Sequence, residues 1–315
     1  MATSAQSTRR LDPADFVAAF GEHPNGYVSG RIRDYGLEYR PLDLRERDRA
    51  IRRMVDVLIS QDLIRAGADR HPQWEAGWGA NFQQLSHSFD YGSLVPGYFG
   101  KYNVLRWCQD LIEPISQNFE YNSFAVIQDW LFDKYLRDVD TICEFGCGTG
   151  HNLFRARAVN GHAALWGADW TGASQNILNQ IRQAGIDGNI HGHRFDFFAP
   201  DQEFRLAPGA AVYTVAALEQ TGDRFEGFLS YLLDNKPSVC IHIEPIAELL
   251  DPENLLDFLS INYFRRRNYL NGFLDRLREL ERDGRIHIRM ARRTMIGSLF
   301  IEGYSVVVWT PAGSN

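Results

Sequence analysis

The chain has 315 residues, 44% of them hydrophobic and 23% charged, and carries a net charge of −7. These values fit one large globular domain, or a core with an accessory layer, and exclude collagen-like and disordered chains. The acidic balance argues against a broad nucleic-acid surface, and the apolar runs fall far short of the ~20 residues a membrane span needs. The opening MATSAQSTRR lacks the apolar stretch of a signal peptide. Cys108, Cys143, Cys147 and Cys240 form neither a CxxC pair nor a dense disulfide framework, so a reducing cytoplasm is the expected location.

In chain order, the first ten residues and the final PAGSN are expected to fray. Residues 43 to about 137 read as mostly helical. Asp43 and Glu46 have capping-box spacing, Ile51, Met54, Val55 and Leu58 follow at helical intervals, and Gly67 is placed to close that segment. A second helix is expected over 123–135, with Phe124, Ile127 and Leu131 on one stripe. Between them, residues 74–107 interleave aromatic side chains with glycines. Such a stretch either packs a helical layer onto a sheet or forms a lid that excludes water, with Tyr91, Tyr98 and Tyr102 as the substrate contacts.

From residue 140 the rhythm becomes short apolar runs alternating with helical segments. Strands are expected over 141–145, 164–168, 190–195, 211–216 and 239–243, a spacing that suits βαβ units and a parallel sheet. Ile177, Leu178 and Ile181 share a helix face before Gly185, and Asp251-Pro252 reads as the start of a long helical region reaching about Asp283. The runs 286–290 and 304–309, joined by MIGSLFIEG, suggest a closing antiparallel hairpin. The chain divides on this reading into a helical, aromatic lid region over 1–135 and an α/β domain over 136–315.

The segment TICEFGCGTGHN carries the most chemistry. An apolar strand enters a loop containing Gly146, Gly148 and Gly150, and a helix is expected near His151. Such glycines let backbone N–H groups approach a ligand. The G-x-G-x-G spacing is neither the dinucleotide G-x-G-x-x-G nor a Walker loop. Glu144 precedes the loop, Asp169 closes the second apolar run and Asp196 the third, so all three acids fall at strand ends on one edge of a parallel sheet.

Over about 136–310 this pattern resembles the class I S-adenosylmethionine-dependent methyltransferases, with EFGCGTG matching that family's first motif and Asp169 and Asp196 its second- and third-strand acids. The resemblance implies a doubly wound, mostly parallel seven-stranded sheet of order 3-2-1-4-5-7-6 with the last strand antiparallel. It implies S-adenosylmethionine as cofactor and S-adenosylhomocysteine as product. Glu144 would then orient the methionine ammonium, Asp169 hold the ribose and Asp196 accept from the adenine amine, each having a bland reading as a loop brace or turn cap. Trp170 and Phe197 either sandwich the adenine or pack in the core. After the fourth strand, Glu219 and Gln220 fall where the family meets the methyl group and substrate.

Glu244 and His242 alternate on the fifth strand. His242 suits a general base or a hydrogen-bonded core residue, and Glu244 a substrate contact. No metal site is expected. The basic run from Arg265 to Arg293 reads as a solvated helix face or as an attraction for an acidic substrate or partner. The expected activity is methyl transfer to an oxygen or nitrogen of a small metabolite. Methylation of a protein or peptide docked on the N-terminal region stays open, as does a dinucleotide-dependent oxidoreductase, and a homodimer is left open.

Overall fold

The computed structural model describes residues 7–60, 62–87 and 89–313. Of the two ends expected to fray, residues 1–6, 314 and 315 lie outside the described residues, whereas β1 (Arg9–Arg10) pairs with β2 (Glu38–Pro41). Between these strands run a short helix α1 (Val17–Phe20) and α2 (Gly26–Tyr35).

Helix α3 (Leu44–Ile59) opens on the expected box: the Glu46 amide donates to Asp43 Oδ1 at 2.7 Å and Glu46 Oε2 accepts from the Asp43 amide at 2.9 Å. It ends at Ile59 rather than at Gly67, with the Ser60 amide bonded to the Asp56 carbonyl. Helix α4 (His71–His87) follows. Strands β3 (Leu105–Trp107) and β4 (Asp110–Pro114) correct the helical reading of this region. Cys108 and Gln109 between them have φ of 48° and 63°, the left-handed pair of a two-residue hairpin turn that the sequence does not signal with Asn or Gly. Helix α5 (Phe119–Tyr135) starts four residues earlier than expected and is buried nearly all round.

The α/β region runs β5 (Thr141–Phe145), α6 (His151–Val159), β6 (Ala164–Asp169), α7 (Gly172–Gln183), β7 (Ile190–Arg194), β8 (Ala211–Val215), α8 (Glu226–Asn235) and β9 (Val239–Glu244). The long helical region is two helices, α9 (Leu255–Arg267) and α10 (Phe273–Arg282), broken where Asn268 and Gly272 turn left-handed. The first begins after an Asn254 cap, not at Asp251-Pro252. Strand β10 (Ile286–Arg292), a two-residue β11 (Ile296–Gly297) and β12 (Ser305–Pro311) finish the chain.

Among the described residues the strands form two sheets. The larger has order β7-β6-β5-β8-β9-β12-β10. Counted within that sheet this is 3-2-1-4-5-7-6, and β12 alone runs antiparallel to both neighbours. The smaller, β1-β2-β4-β3-β11, is antiparallel throughout and draws its last strand from the segment between β10 and β12. The loop expected to close a simple hairpin therefore crosses to a second sheet. Its core, Leu37, Leu105, Ile112 and Trp107, is continuous with the side chains under α5. No described helix is long and apolar enough to cross a membrane.

Arg106 on β3 pins the accessory sheet to the main body. It is 3% exposed and donates to Leu256 O at 2.8 Å, Ser260 Oγ at 2.7 Å and Phe300 O at 2.9 Å. Burial holds its pKa down to about 10, so it stays charged at neutral pH. Arg106→Met keeps the stem but removes the donors that reach the Leu299 and Phe300 carbonyls and Ser260 Oγ. Urea unfolding is expected to show a loss of about 3–5 kcal/mol, and an unchanged midpoint would refute the pinning role.

Candidate functional site

The carboxyl ends of β5, β6 and β8 meet at the glycine loop. Gly146 and Gly148 have φ of 77° and 54°, where a side chain is strained. Space forbids one as well: a Cβ at Gly146 would strike the Ala217 methyl, and one at Gly148 would lie 2.9 Å from the Trp78 ring. Gly150 caps α6 in the same left-handed region. Asp169 at the end of β6 fixes the loop, because its Oδ2 accepts from the Gly148 amide at 2.9 Å while Oδ1 accepts from the Thr171 amide and hydroxyl at 2.9 and 2.7 Å.

A cleft of about 60 Å³ opens here, with Gly146, Asp169 and Trp170 on one side, Phe197 at its base and Trp74 and Trp78 of α4 over it. Two polar atoms on residues that line this region, Trp74 Nε1 and Gln220 Oε1, are buried without a partner. Helix α4 is tied across the cleft by Glu75, which accepts from the Gly172 and Ala173 amides at 2.8 Å each, and by His71, whose Nε2 lies 3.1 Å from the Trp170 carbonyl. Beyond Ala216 and Gln220 the cleft gives onto a larger chamber of about 630 Å³, reached by Tyr98, Tyr102, Glu219, Arg267 and Tyr269.

The structure gathers Gly146, Asp169, Trp170, Phe197, Glu219, Gln220, Tyr98 and Tyr102 around these connected spaces. Other expected residues lie elsewhere. Glu144 is fully buried beneath the loop, its oxygens taken by Asn152 Nδ2 at 2.7 Å and Tyr213 Oη at 3.1 Å, so it braces rather than faces the cleft. Asp196 closes a turn by accepting from the Phe198 amide at 2.8 Å and is absent from the cleft lining. Tyr91 is 55% exposed against Phe89 and Phe154; it is absent from the lining of cleft and chamber, and lines a surface hollow with Arg31 and His151 and a second one that shares Tyr102 and Glu120 with the chamber.

The reading of His242 as a base is corrected. Its Nε2 accepts from Trp309 Nε1 at 3.0 Å, which leaves Nδ1–H to donate to Thr214 Oγ1 at 3.0 Å. Burial holds its pKa down to about 3, so it is a neutral core histidine. The Glu244 reading changes too. Fully buried, it accepts from the Ala217, Leu218 and Glu219 amides at 3.1, 3.0 and 3.1 Å. It therefore holds the loop that carries Glu219 and does not reach substrate. Ala216 before that loop has φ of 46°, a left-handed turn uncommon for a residue with a Cβ.

Two carboxyls line the chamber, Glu120, which accepts from the Gly100 amide at 2.8 Å, and Glu219 on the turn after β8. Burial first, and then Glu244, push the Glu219 pKa up to about 8, while Gln220 Nε2 donates to its Oε1 at 3.0 Å. Sequence reasoning missed Trp74, Trp78, Arg70, Arg267 and Tyr269. The two tryptophans lie in the aromatic stretch already singled out, but nothing local separates them from Tyr91. Arg267 sits in a basic helix end whose sequence suits a solvated face or an attraction for an acidic substrate or partner, without singling it out.

The observed sheet order, with one antiparallel strand in the sixth place, decides the architecture. This is the class I methyltransferase fold. No protein-family model matches the chain, and no curated protein matches it. Among solved structures it is similar to an O-methyltransferase from neocarzinostatin biosynthesis, in complex with S-adenosylmethionine and 2-hydroxy-5-methyl naphthoic acid, at 17% identity and a TM-score of 0.43. That match covers 61% of this chain and only 57% of the other. An N-methyltransferase from Bradyrhizobium japonicum with bound S-adenosylhomocysteine matches 74% of this chain and 98% of its own, at 11% identity and a TM-score of 0.46. The magnesium protoporphyrin IX methyltransferase of Synechocystis matches 60% and 81%, at 16% identity and 0.44. The fold assignment rests on the chain's own strand order.

The buried carboxyls make stability pH-dependent. Burial pushes Glu144 and Glu219 up to about 8 and Glu244 up to about 7. The folded chain thus holds protons that the unfolded chain releases above ~4.5, and stability falls as pH rises toward 8. The buried imidazoles of His151 and His242, held down to about 3, oppose this only below ~6.5, where unfolded histidines take up protons. Thermal unfolding should therefore show Tm declining from pH 6.5 to 8.5. Glu144→Gln, which can keep its Asn152 and Tyr213 partners, should make that decline shallower; an identical slope would count against this account.

Proposed function

We propose that the chain is an S-adenosylmethionine-dependent methyltransferase acting on a small molecule. The observation that supports this most is the left-handed glycine loop clamped by Asp169, beside two orphaned polar atoms and opening onto a chamber that Glu219 faces. The cofactor's groups fit the residues present. Asp169 lines the cleft for the ribose, Trp170 and Phe197 offer apolar faces for the adenine, and Trp74 Nε1 and Gln220 Oε1 offer a donor and an acceptor. The cleft itself, at about 60 Å³, is several-fold smaller than the ~300–1,000 Å³ of small-molecule sites, so entry requires α4 to shift. The chamber, at about 630 Å³, is within that range and suits a small acceptor better than a docked polypeptide.

Bound S-adenosylmethionine supplies a methyl group on a sulfonium, already activated for transfer. The protein's part is to orient the acceptor, exclude water and manage one proton. Trp74 and Trp78 cover the cleft, and Gln220, which lines both spaces, stands at their junction. Glu219 is placed to take the acceptor's proton. With its carboxyl pushed up to about 8 it gains base strength at neutral pH, and its ionised fraction grows as pH rises toward that value.

Calorimetry is expected to show S-adenosylhomocysteine binding to the full chain, with NAD and NADP inert. Asp169→Ala should weaken that binding by ~1.5–3 kcal/mol, the range for hydrogen bonds to a charged group. Equal affinity in the variant would remove Asp169 from the site.

A second measurement addresses α4. Hydrogen exchange of its amides should change on addition of S-adenosylhomocysteine, while α8 and α10 stay as they were. Unchanged exchange in α4, with binding seen by calorimetry, would reduce the aromatic stretch to packing.

A further inference from the structure

The chamber that Glu219 and Glu120 line also holds two guanidiniums that no ion pair engages among the described residues. Arg70 ends the turn leading into α4, Arg267 lies in the last turn of α9, and both line the chamber. Other shielded guanidiniums have their donors matched: Arg293 reaches Asp257 and Glu302 at 2.7 and 2.6 Å, Arg157 reaches Asp187 at 2.7 Å, and Arg106 meets carbonyls and a hydroxyl. Among the described residues no carboxylate pairs with Arg70 or Arg267.

Their donors are also underused. Arg70, 9% exposed, gives Nε and Nη2 to one neutral acceptor, Gln73 Oε1, at 3.0 and 2.7 Å, and lies 5.1 Å over the Trp74 ring. Arg267 gives Nη1 to the Ile64 carbonyl and Nη2 to Tyr269 Oη at 3.3 Å, leaving Nε buried without a partner. Each guanidinium has five N–H donors, and desolvating it without an anion costs free energy. The two are close enough that Arg267, after burial itself, holds Arg70 below its ordinary pKa. Glu219 attracts both guanidiniums through space but forms an ion pair with neither.

Resting on the methyltransferase reading, we propose that the acceptor is an organic oxyanion on a flat, aromatic body. Its carboxylate or phosphate is held between Arg70 and Arg267, and its body lies along Tyr263, Tyr269 and Tyr304. The planar fork of arginine matches two oxygens of either group, and paired guanidiniums gain most from an anion where water is scarce. Aromatic walls supply stacking area without competing for the charge. Anchoring the anionic end at the arginines leaves the rest of the acceptor to extend toward Gln220, the residue shared with the cofactor cleft.

Benzoate and phenyl phosphate, with benzamide as the neutral control, test this by saturation-transfer NMR and calorimetry on the full chain at low salt, with and without S-adenosylhomocysteine. At least one anion is expected to bind at least tenfold more tightly than benzamide, and whichever wins distinguishes carboxylate from phosphate. Arg267→Gln and Arg70→Gln should each abolish the preference. S-adenosylhomocysteine affinity should stay within about twofold in both variants, which also reports that they are folded. Arg267→Lys, which keeps charge but loses the fork, should retain part of the preference. Equal binding of benzamide, an anion preference that survives both glutamine variants, or binding of neither anion would each overturn the proposal. If the anions bind through the arginines while S-adenosylhomocysteine does not bind, the anion site stands and the reading of the cofactor cleft falls.

Discussion

Close approach at the glycine loop is the constraint on which the site depends. Gly146 meets the Ala217 methyl of the loop after β8, and Gly148 meets the indole of Trp78 on α4. One element before the loop in sequence and one after it thus converge on a backbone that has no room for a side chain and a left-handed course that disfavours one. The loop can hold that course because Asp169, one strand over, takes its second glycine amide. Parallel strands end on one edge, so loop, acid and the turn after β8 are brought together by sheet order alone.

Around that edge the buried carboxylates work mainly as backbone clamps. Asp169 holds the glycine loop, Glu244 holds three successive amides after β8, and Glu144 ties β5 to α6 and β8 through Asn152 and Tyr213. Burying an acid is tolerable when each oxygen has a donor, and each of these does. The division of labour leaves Glu219, displayed on the turn that Glu244 grips, lining the chamber together with Glu120. Clamps held by several donors at once give the site a defined geometry, because their hydrogen bonds fix the loops that they grip.

The accessory layer completes the enclosure. Its small sheet takes strands from both ends of the chain, and Arg106 fastens that sheet to α9, the helix that presents Arg267. Helix α4 lies along α7, joined to it by Glu75 at one end and by Ser86 and Gln180, 3.2 Å apart, at the other. The chamber roof is therefore hung on the same α/β body that forms its floor. The cleft's small volume follows from the two tryptophans this arrangement presses onto the loop.

Much of the α/β half was legible in the sequence, because its signals are local. Alternating apolar runs and helical faces marked β5 to β9 to within a residue, and the glycine spacing with Asp169 marked the loop. The accessory sheet was not legible: its β3–β4 turn is Cys-Gln, its last strand has two residues, and its pairing joins positions nearly two hundred residues apart. The same limit applied to roles. His242 and Glu244 sit on the right strand, yet whether a buried polar group faces a ligand or a backbone partner depends on Trp309, Thr214 and the amides after β8. Sequence determined which residues lie at the sheet's active edge. Tertiary structure alone decided which of them are spent on holding the protein together and which, like Glu219, Arg70 and Arg267, are left to act, because hydrogen-bond partners are set by packing in space rather than by position along the chain.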